Sequence, residues 1–157
     1  MVNVAEEKVI VGVDGSKASI EALRLGNRLA QALGMRLEAW GCWENPGGYE
    51  GYRAAGVEGF GHEAEENLQN ALTEAFGVNR PGNVTAKVIH GPARASLVEG
   101  SRNAAMVVVG SRGHGGFAGL LLGSVSAACV AHAYCPVLVV HAPKAERFHK
   151  AEKPASE

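Results

Sequence analysis

No two of the three cysteines, Cys42, Cys129 and Cys135, have the CxxC spacing, and an odd number cannot all pair with one another. That usage argues against a disulfide framework and for a reducing compartment, the cytoplasm. The six histidines, at 62, 90, 114, 132, 141 and 149, show neither HxxxH nor mixed Cys/His ligand spacing, which argues against zinc. There is no basic surplus, since 15 Lys and Arg face 16 Asp and Glu. Bulk electrostatic capture of DNA or RNA is therefore not expected. The opening residues lack a basic segment followed by a long apolar run, so no signal peptide is expected. The stretch from Gly113 to Pro143 holds no charged side chain and exceeds the ~20 residues that cross a bilayer. Glycines, Ser124, Ser126, His132 and Pro136 interrupt it. Helices and strands buried on both sides lack charge for the same reason, so no membrane association is expected.

What the sequence does have is the composition of one ordinary globular domain: 157 residues, 46% apolar and 20% charged. Glycine is in excess, at 21 of 157 residues, where ~7% is usual. Without low complexity, such an excess marks places where backbone turns sharply or approaches something closely. The last 16 residues carry seven charges and two prolines. Residues 1–143 are read as the domain and 144–157 as a solvated tail.

Element types alternate along the chain. Lys8 to Val13 is a β-branched run ending in Asp14-Gly15-Ser16. A helix follows with Ile20, Leu23, Ala30 and Leu33 on one side, and Gly34 stands where a left-handed residue ends it. Arg36 to Trp43 reads as a strand, and Asn45 to Gly61 as a loop with six glycines, long enough to serve as a lid. His62 to Phe76 reads as a helix stopped by Gly77, and Asn83 to His90 as a third strand. Gly91-Pro92 opens a short helix to about Arg102, Ala105 to Val109 is a buried-type strand, Ser124 to Tyr134 an apolar helix and Val137 to Val140 a fifth strand. This alternation predicts an α/β fold: a doubly wound parallel sheet with helices on both faces. Such sheets bind ligands beyond the carboxyl ends of strands, where strand order reverses. If the first and fourth strands are neighbours, the turn at Asp14 and the loop from Gly110 to Gly123 face one crevice.

The second of these loops invites an anion. It runs from a strand to a helix starting near Ser124, where free N–H groups and the helix dipole favour negative charge. Gly110, Gly113 and Gly123 let backbone approach phosphate oxygens, and Ser124 and Ser126 bring hydroxyls. The alternative is Ser124 as an ordinary N-cap and the glycines as turn formers. A Walker A loop is absent, because no lysine separates Gly123 from Ser124. Gly113-His114-Gly115-Gly116-Phe117-Ala118 matches GxGxxA, yet no acidic residue follows before Glu146, so the dinucleotide fingerprint is incomplete. No GxSxG elbow or kinase signature occurs. Asp14 suits ribose hydroxyls or, through water, Mg²⁺; it also suits an Asx turn or N-cap, and both roles can coexist. Lys17 and Arg112 stand on the two loops as cations for phosphate or for solvent. His132 reads as a core or interface residue, and Cys42 as a small pocket hydrophobe.

Taken together, Gly110-x2-Gly113-x9-Gly123-Ser124 resembles the signature of the ATP-binding universal stress proteins. The match extends to Val11-Gly12-Val13-Asp14-Gly15-Ser16, His90-Gly91-Pro92-Ala93 and Cys135-Pro136-Val137-Leu138-Val139-Val140, in order, from about Lys8 to His141. The resemblance implies a five-stranded sheet of order 3-2-1-4-5, Rossmann-like and similar to the adenine nucleotide alpha hydrolases. It also implies a homodimer joined through Val137 to Val140. Gly12, Val13 and Asp14 would meet adenosine, with Asp14 near ribose and Mg²⁺. Cys42 and Val109 would line the adenine pocket. Gly110, Gly113, Gly123 and Ser124 would hold phosphates, with Val125 and Ser126 beside them. Ala104-Ala105 replaces an acidic residue usual before the fourth strand, and Trp40 and Trp43 can reshape the adenine side. The reading is a dimeric ATP-binding stress or signalling module with little or no hydrolysis. Alternatives are a slow ATPase or nucleotidyl-transfer enzyme, a sensor of AMP or cyclic AMP, and an interaction dimer whose nucleotide site is incidental.

Overall fold

Short β-branched runs cannot bury both their faces alone, and here five of them share one sheet. The computed structural model describes residues 7–45, 57–113 and 122–143. Its elements are β1 (Lys8–Gly12), α1 (Lys17–Ala32), β2 (Arg36–Trp43), α2 (Val57–Phe76), β3 (Val84–His90), α3 (Ala93–Gly100), a 3₁₀ turn (Ser101–Asn103), β4 (Met106–Gly110), α4 (Ser124–His132) and β5 (Val137–Val140). The sheet order is β3-β2-β1-β4-β5 and every adjacent pair is parallel. The order reverses between β1 and β4, as the crevice argument requires.

Alternation along each strand divides the core in two. Val9, Val11, Leu37, Ala39 and Val108 face Ile20, Leu23 and Ala30 of α1 and Leu68 and Leu72 of α2. Ile10, Trp40, Val107 and Val109 face Leu97 of α3 and Cys129 of α4. Among the described residues no helix is long and apolar enough to cross a membrane.

One carboxylate interrupts this apolar scheme. Glu38 is buried on the second face, and the strand register sets two lysines diagonally beside it. Lys8 Nζ lies 3.2 Å from Oε2 and Lys87 Nζ 3.1 Å from Oε1. Trp40 Nε1 donates to Oε2 at 2.9 Å. Burial pushes the Glu38 carboxyl up. The hydrogen bonds from Trp40, Lys87 and Lys8, with the charge of Lys8, outweigh burial and hold its pKa below the ordinary value.

Several boundaries differ from the sequence reading for packing reasons. α2 starts at Val57 rather than His62, so Gly59 and Gly61 are helical. A Cβ on Gly61 would sit 3.3 Å from the Trp43 ring, so the missing side chain makes room for an indole. The short helix expected to reach Arg102 splits into α3 and the 3₁₀ turn, and α4 stops at His132. His132 is exposed rather than in the core, because the inner side of α4 belongs to Ser126 and Cys129. Leu33 is exposed because it caps α1 instead of continuing its apolar side.

α1 ends as the sequence predicts. Gly34 has φ +68°, and nothing stands within 4 Å of the position a Cβ would take. Gly34→Ala therefore isolates backbone strain from packing. A loss of about 1 kcal/mol in urea unfolding is expected.

Candidate functional site

Because β1 and β4 pair side by side, with Val11 opposite Val108, their following turns emerge together. Between them, α3 and α4 lies a crevice of about 370 Å³. All eleven residues singled out from the sequence border it: Gly12, Val13 and Asp14 after β1, Cys42 on β2, Val109 and Gly110 on β4, Gly113, and Gly123 to Ser126 at the start of α4. Trp40, Ala93 and Arg112 complete the wall with Ser16 and Ser19. The two serines escaped the sequence reading, and their signal is the helix-capping pattern rather than any ligand motif.

The first turn is built by Asp14 and Ser16. Val13 N donates to Trp40 O at 2.9 Å, extending the sheet by one residue. Asp14 Oδ1 accepts from Ser16 N at 2.9 Å, the Asx turn expected of it. Ser16 is the N-cap of α1: its Oγ accepts from Ser19 N at 3.2 Å, while Ser19 Oγ donates to Ser16 O at 2.9 Å.

The second turn is anchored on one carbonyl. Ser111 N donates to Val140 O, and Ser111 O accepts from Gly123 N at 2.7 Å and from Ser126 Oγ at 2.9 Å. The two ends of the loop are thereby clasped. Residues 114–121, including His114, lie outside the described residues, as do 46–56 of the candidate lid and the tail at 144–157.

Here the sequence reading needs four corrections. Ser124 is not the N-cap of α4; Gly123 is, with no side-chain cap, which leaves the first N–H groups of α4 without an intrahelical partner. Ser126 Oγ also lies 3.1 Å from Gly123 O, so its single hydroxyl proton is shared between two carbonyls of the clasp, a structural role the sequence reading did not include. Gly110 is required by α1: a Cβ there would lie 2.7 Å from Ala18 Cβ and 3.0 Å from Ser19 N. Finally, only one of the two tryptophans reaches the crevice. Trp43 points to the other face and stacks on His90, ring centroids 4.2 Å apart.

Gly113 and Gly123 differ in what surrounds them. A Cβ on Gly113 would overlap the Asp14 carboxylate at Oδ2, so the two turns touch at this point. Gly123 has only ordinary contacts around its missing Cβ, so the strap passes there without crowding.

The crevice lining is mixed. Asp14 and Arg112 are the charged side chains among its described lining residues. Trp40, Val109, Val125 and Cys42 supply apolar surface. Burial pushes the Cys42 thiol up to about 11, so it stays protonated at neutral pH and acts as a small apolar surface. Trp40 is held in place by Glu38 and fills the space beside Gly100.

The sequence model of the Universal stress protein family matches residues 6–141. A universal stress protein of Mycobacterium tuberculosis (strain ATCC 25618 / H37Rv) is 35% identical over 150 residues, 84% of this chain and 47% of its own length. The chain thus spans about half the length of the curated relatives it matches. Among solved structures, a universal stress protein in complex with cAMP is 26% identical with TM-score 0.56, covering 88% of this chain and 99% of that one. Universal stress protein UspA from Lactobacillus plantarum has TM-score 0.72 at 17% identity over the same shares, and it supports the fold alone.

Proposed function

Because the chain belongs to the universal stress protein family, we propose that it is an adenine-nucleotide-binding stress-response module acting in the cytoplasm. In this reading ATP is bound with Mg²⁺ and hydrolysed slowly or not at all. One observation carries it: Asp14 and Gly113 come together at the ends of β1 and β4, and one crevice is bordered by them, by the uncapped start of α4 and by the apolar side chains of Trp40, Val109 and Val125. The cAMP complex of the 26% identical neighbour supports the same ligand class.

The apolar and polar parts of the lining suit different parts of the ligand. Trp40, Val109, Val125 and Cys42 offer the base an apolar, partly aromatic surface. The N–H groups of Ser124, Val125 and Ser126 at the first turn of α4 suit phosphate oxygens. Mg²⁺ keeps several waters and takes one or two carboxylates plus phosphates; Asp14, the carboxylate among the described lining residues, fits that demand. When bound, the ion would offset phosphate charge. Efficient phosphoryl transfer needs a placed base and several charge clamps, and one carboxylate with one guanidinium is a poor set for it.

β5 lies at the sheet edge with Val137, Leu138 and Val139 only half-buried. We propose pairing of two chains through this strand, which would cover the edge.

Calorimetry with ATP and Mg²⁺ on nucleotide-free protein tests the central reading. Binding is expected, and Asp14→Ala should weaken it about tenfold through loss of one charge-assisted contact. AMP and cyclic AMP in the same series rank the alternatives. Turnover far above background that Asp14→Ala abolishes would replace this reading with the slow-enzyme one. No heat of binding at millimolar ATP would end it.

A further inference from the structure

Trp40 is the largest side chain among the described lining residues of the crevice, and what fixes it lies outside the crevice. Alternation along β2 sends Glu38, Trp40 and Cys42 to one side of the sheet. Trp40 and Cys42 border the crevice, whereas Glu38 does not and is buried. The indole has one polar atom, Nε1, and that atom donates to Glu38 Oε2 at 2.9 Å. The surface that Trp40 offers the crevice is therefore carbon.

The far edge of the same ring meets the end of α3. A Cβ on Gly100 would stand 2.5 Å from Trp40 Cη2 and 2.7 Å from Cζ3, closer than side chains pack. Gly100 has ordinary helical backbone, with φ −60° and ψ −29°, so no conformational need explains its missing side chain. What the absence provides is room for the indole.

Two holds of different kinds thus act on one ring. Glu38 fixes its polar edge by a hydrogen bond, and Gly100 fits its far edge. Without the carboxylate, a buried N–H is left unmet, a cost the ring escapes only by turning. The open space it borders is the crevice. With a methyl at Gly100, the ring is pushed off α3, because a rigid bicycle has no flexible end to give way.

We infer that Glu38 and Gly100 are positioning residues for the base: acting through Trp40, they fix the apolar slot that receives it. Both roles rest on the nucleotide reading above. They add to it that affinity for the base depends on contacts the ligand never makes.

Calorimetry on the full chain with ATP and AMP compares wild type with Glu38→Ala, Glu38→Gln and Gly100→Ala, each also made in Trp40→Phe. Glu38→Ala and Gly100→Ala should each weaken ATP and AMP alike, about fivefold, since both nucleotides carry the same base. Glu38→Gln keeps an acceptor and should recover most of the loss. Phenylalanine has no N–H and a smaller ring, so in Trp40→Phe neither substitution should change affinity more than about twofold. A general loss of stability would be felt whatever stands at position 40. Gly100→Ala leaves the ion cluster whole and carries the test if Glu38→Ala does not fold. Full affinity in Glu38→Ala or Gly100→Ala, or losses that persist in Trp40→Phe, overturns the positioning roles and leaves the nucleotide reading standing. In ligand-free protein with Trp43→Phe, Trp40 emission should move to longer wavelength in Glu38→Ala and return in Glu38→Gln. An unmoved emission overturns the hold of Glu38 on the ring, whatever the nucleotides do. A wild type that binds neither nucleotide overturns the nucleotide reading and, with it, both roles.

Discussion

Gly113→Ala is expected to lower ATP affinity about a hundredfold, ~2.7 kcal/mol, while shifting unfolding free energy by no more than about 1 kcal/mol. The asymmetry follows from where the added methyl would go. It overlaps Oδ2 of Asp14, where the turn after β4 comes against the turn after β1. Either the carboxylate rotates, giving up its hydrogen bond to Ser16 N, or the loop lifts away from the crevice. Both movements would part Asp14 from the loop to which the proposed function assigns the phosphates. Gly113 and Asp14 are exposed, so the core has little at stake. Calorimetry beside urea unfolding reads both quantities on one preparation. Full affinity in this variant would mean that the ligand does not span the two turns.

Glu38→Ala is expected to show the reverse, a loss of about 3 kcal/mol in stability with the site geometry only loosened. Its carboxylate serves Lys8, Lys87 and Trp40 at once. Lys87 is 46% exposed at its side chain and can turn to water; Lys8, at 18%, and the buried indole N–H cannot do so easily. Glu38→Gln keeps an acceptor for Trp40 and should lose less, which separates the hydrogen bond from the charge. The pH dependence has a definite sign. The folded pKa of Glu38 lies below its unfolded value, so the unfolded chain takes up the proton first as pH falls. The contribution is fully present above the ordinary glutamate value of about 4.3 and is lost as pH drops through the lower folded value. Urea midpoints for wild type should fall across that acidic window, and those for Glu38→Gln should fall less steeply.

These two residues also mark what can and cannot be read from sequence. The bounds of β2 and β5 and the stop at Gly34 agree with the sequence reading, because β-branched runs and a left-handed glycine are local facts. The site residues lie around one crevice because parallel topology leaves few ways to place the ends of β1 and β4. Tertiary needs were not legible. Gly59 and Gly61 look like loop residues, yet a helix tolerates them where Trp43 requires the space. Gly110 looks like a phosphate glycine, yet α1 presses on it. Ser126 looks like a donor to ligand, yet its acceptors lie fifteen and three residues away on the backbone. The Glu38 cluster depends on the register of three strands, and no spacing along the chain announces that.

Trp40 and Trp43 sit three residues apart on one strand and face opposite sides of the sheet. One indole forms part of the crevice wall; the other leans on a histidine ring behind it. The chain therefore carries its own optical probe and its own reference. With Trp43→Phe the remaining emission should follow a ligand entering the slot, and with Trp40→Phe it should follow the far layer as the chain unfolds.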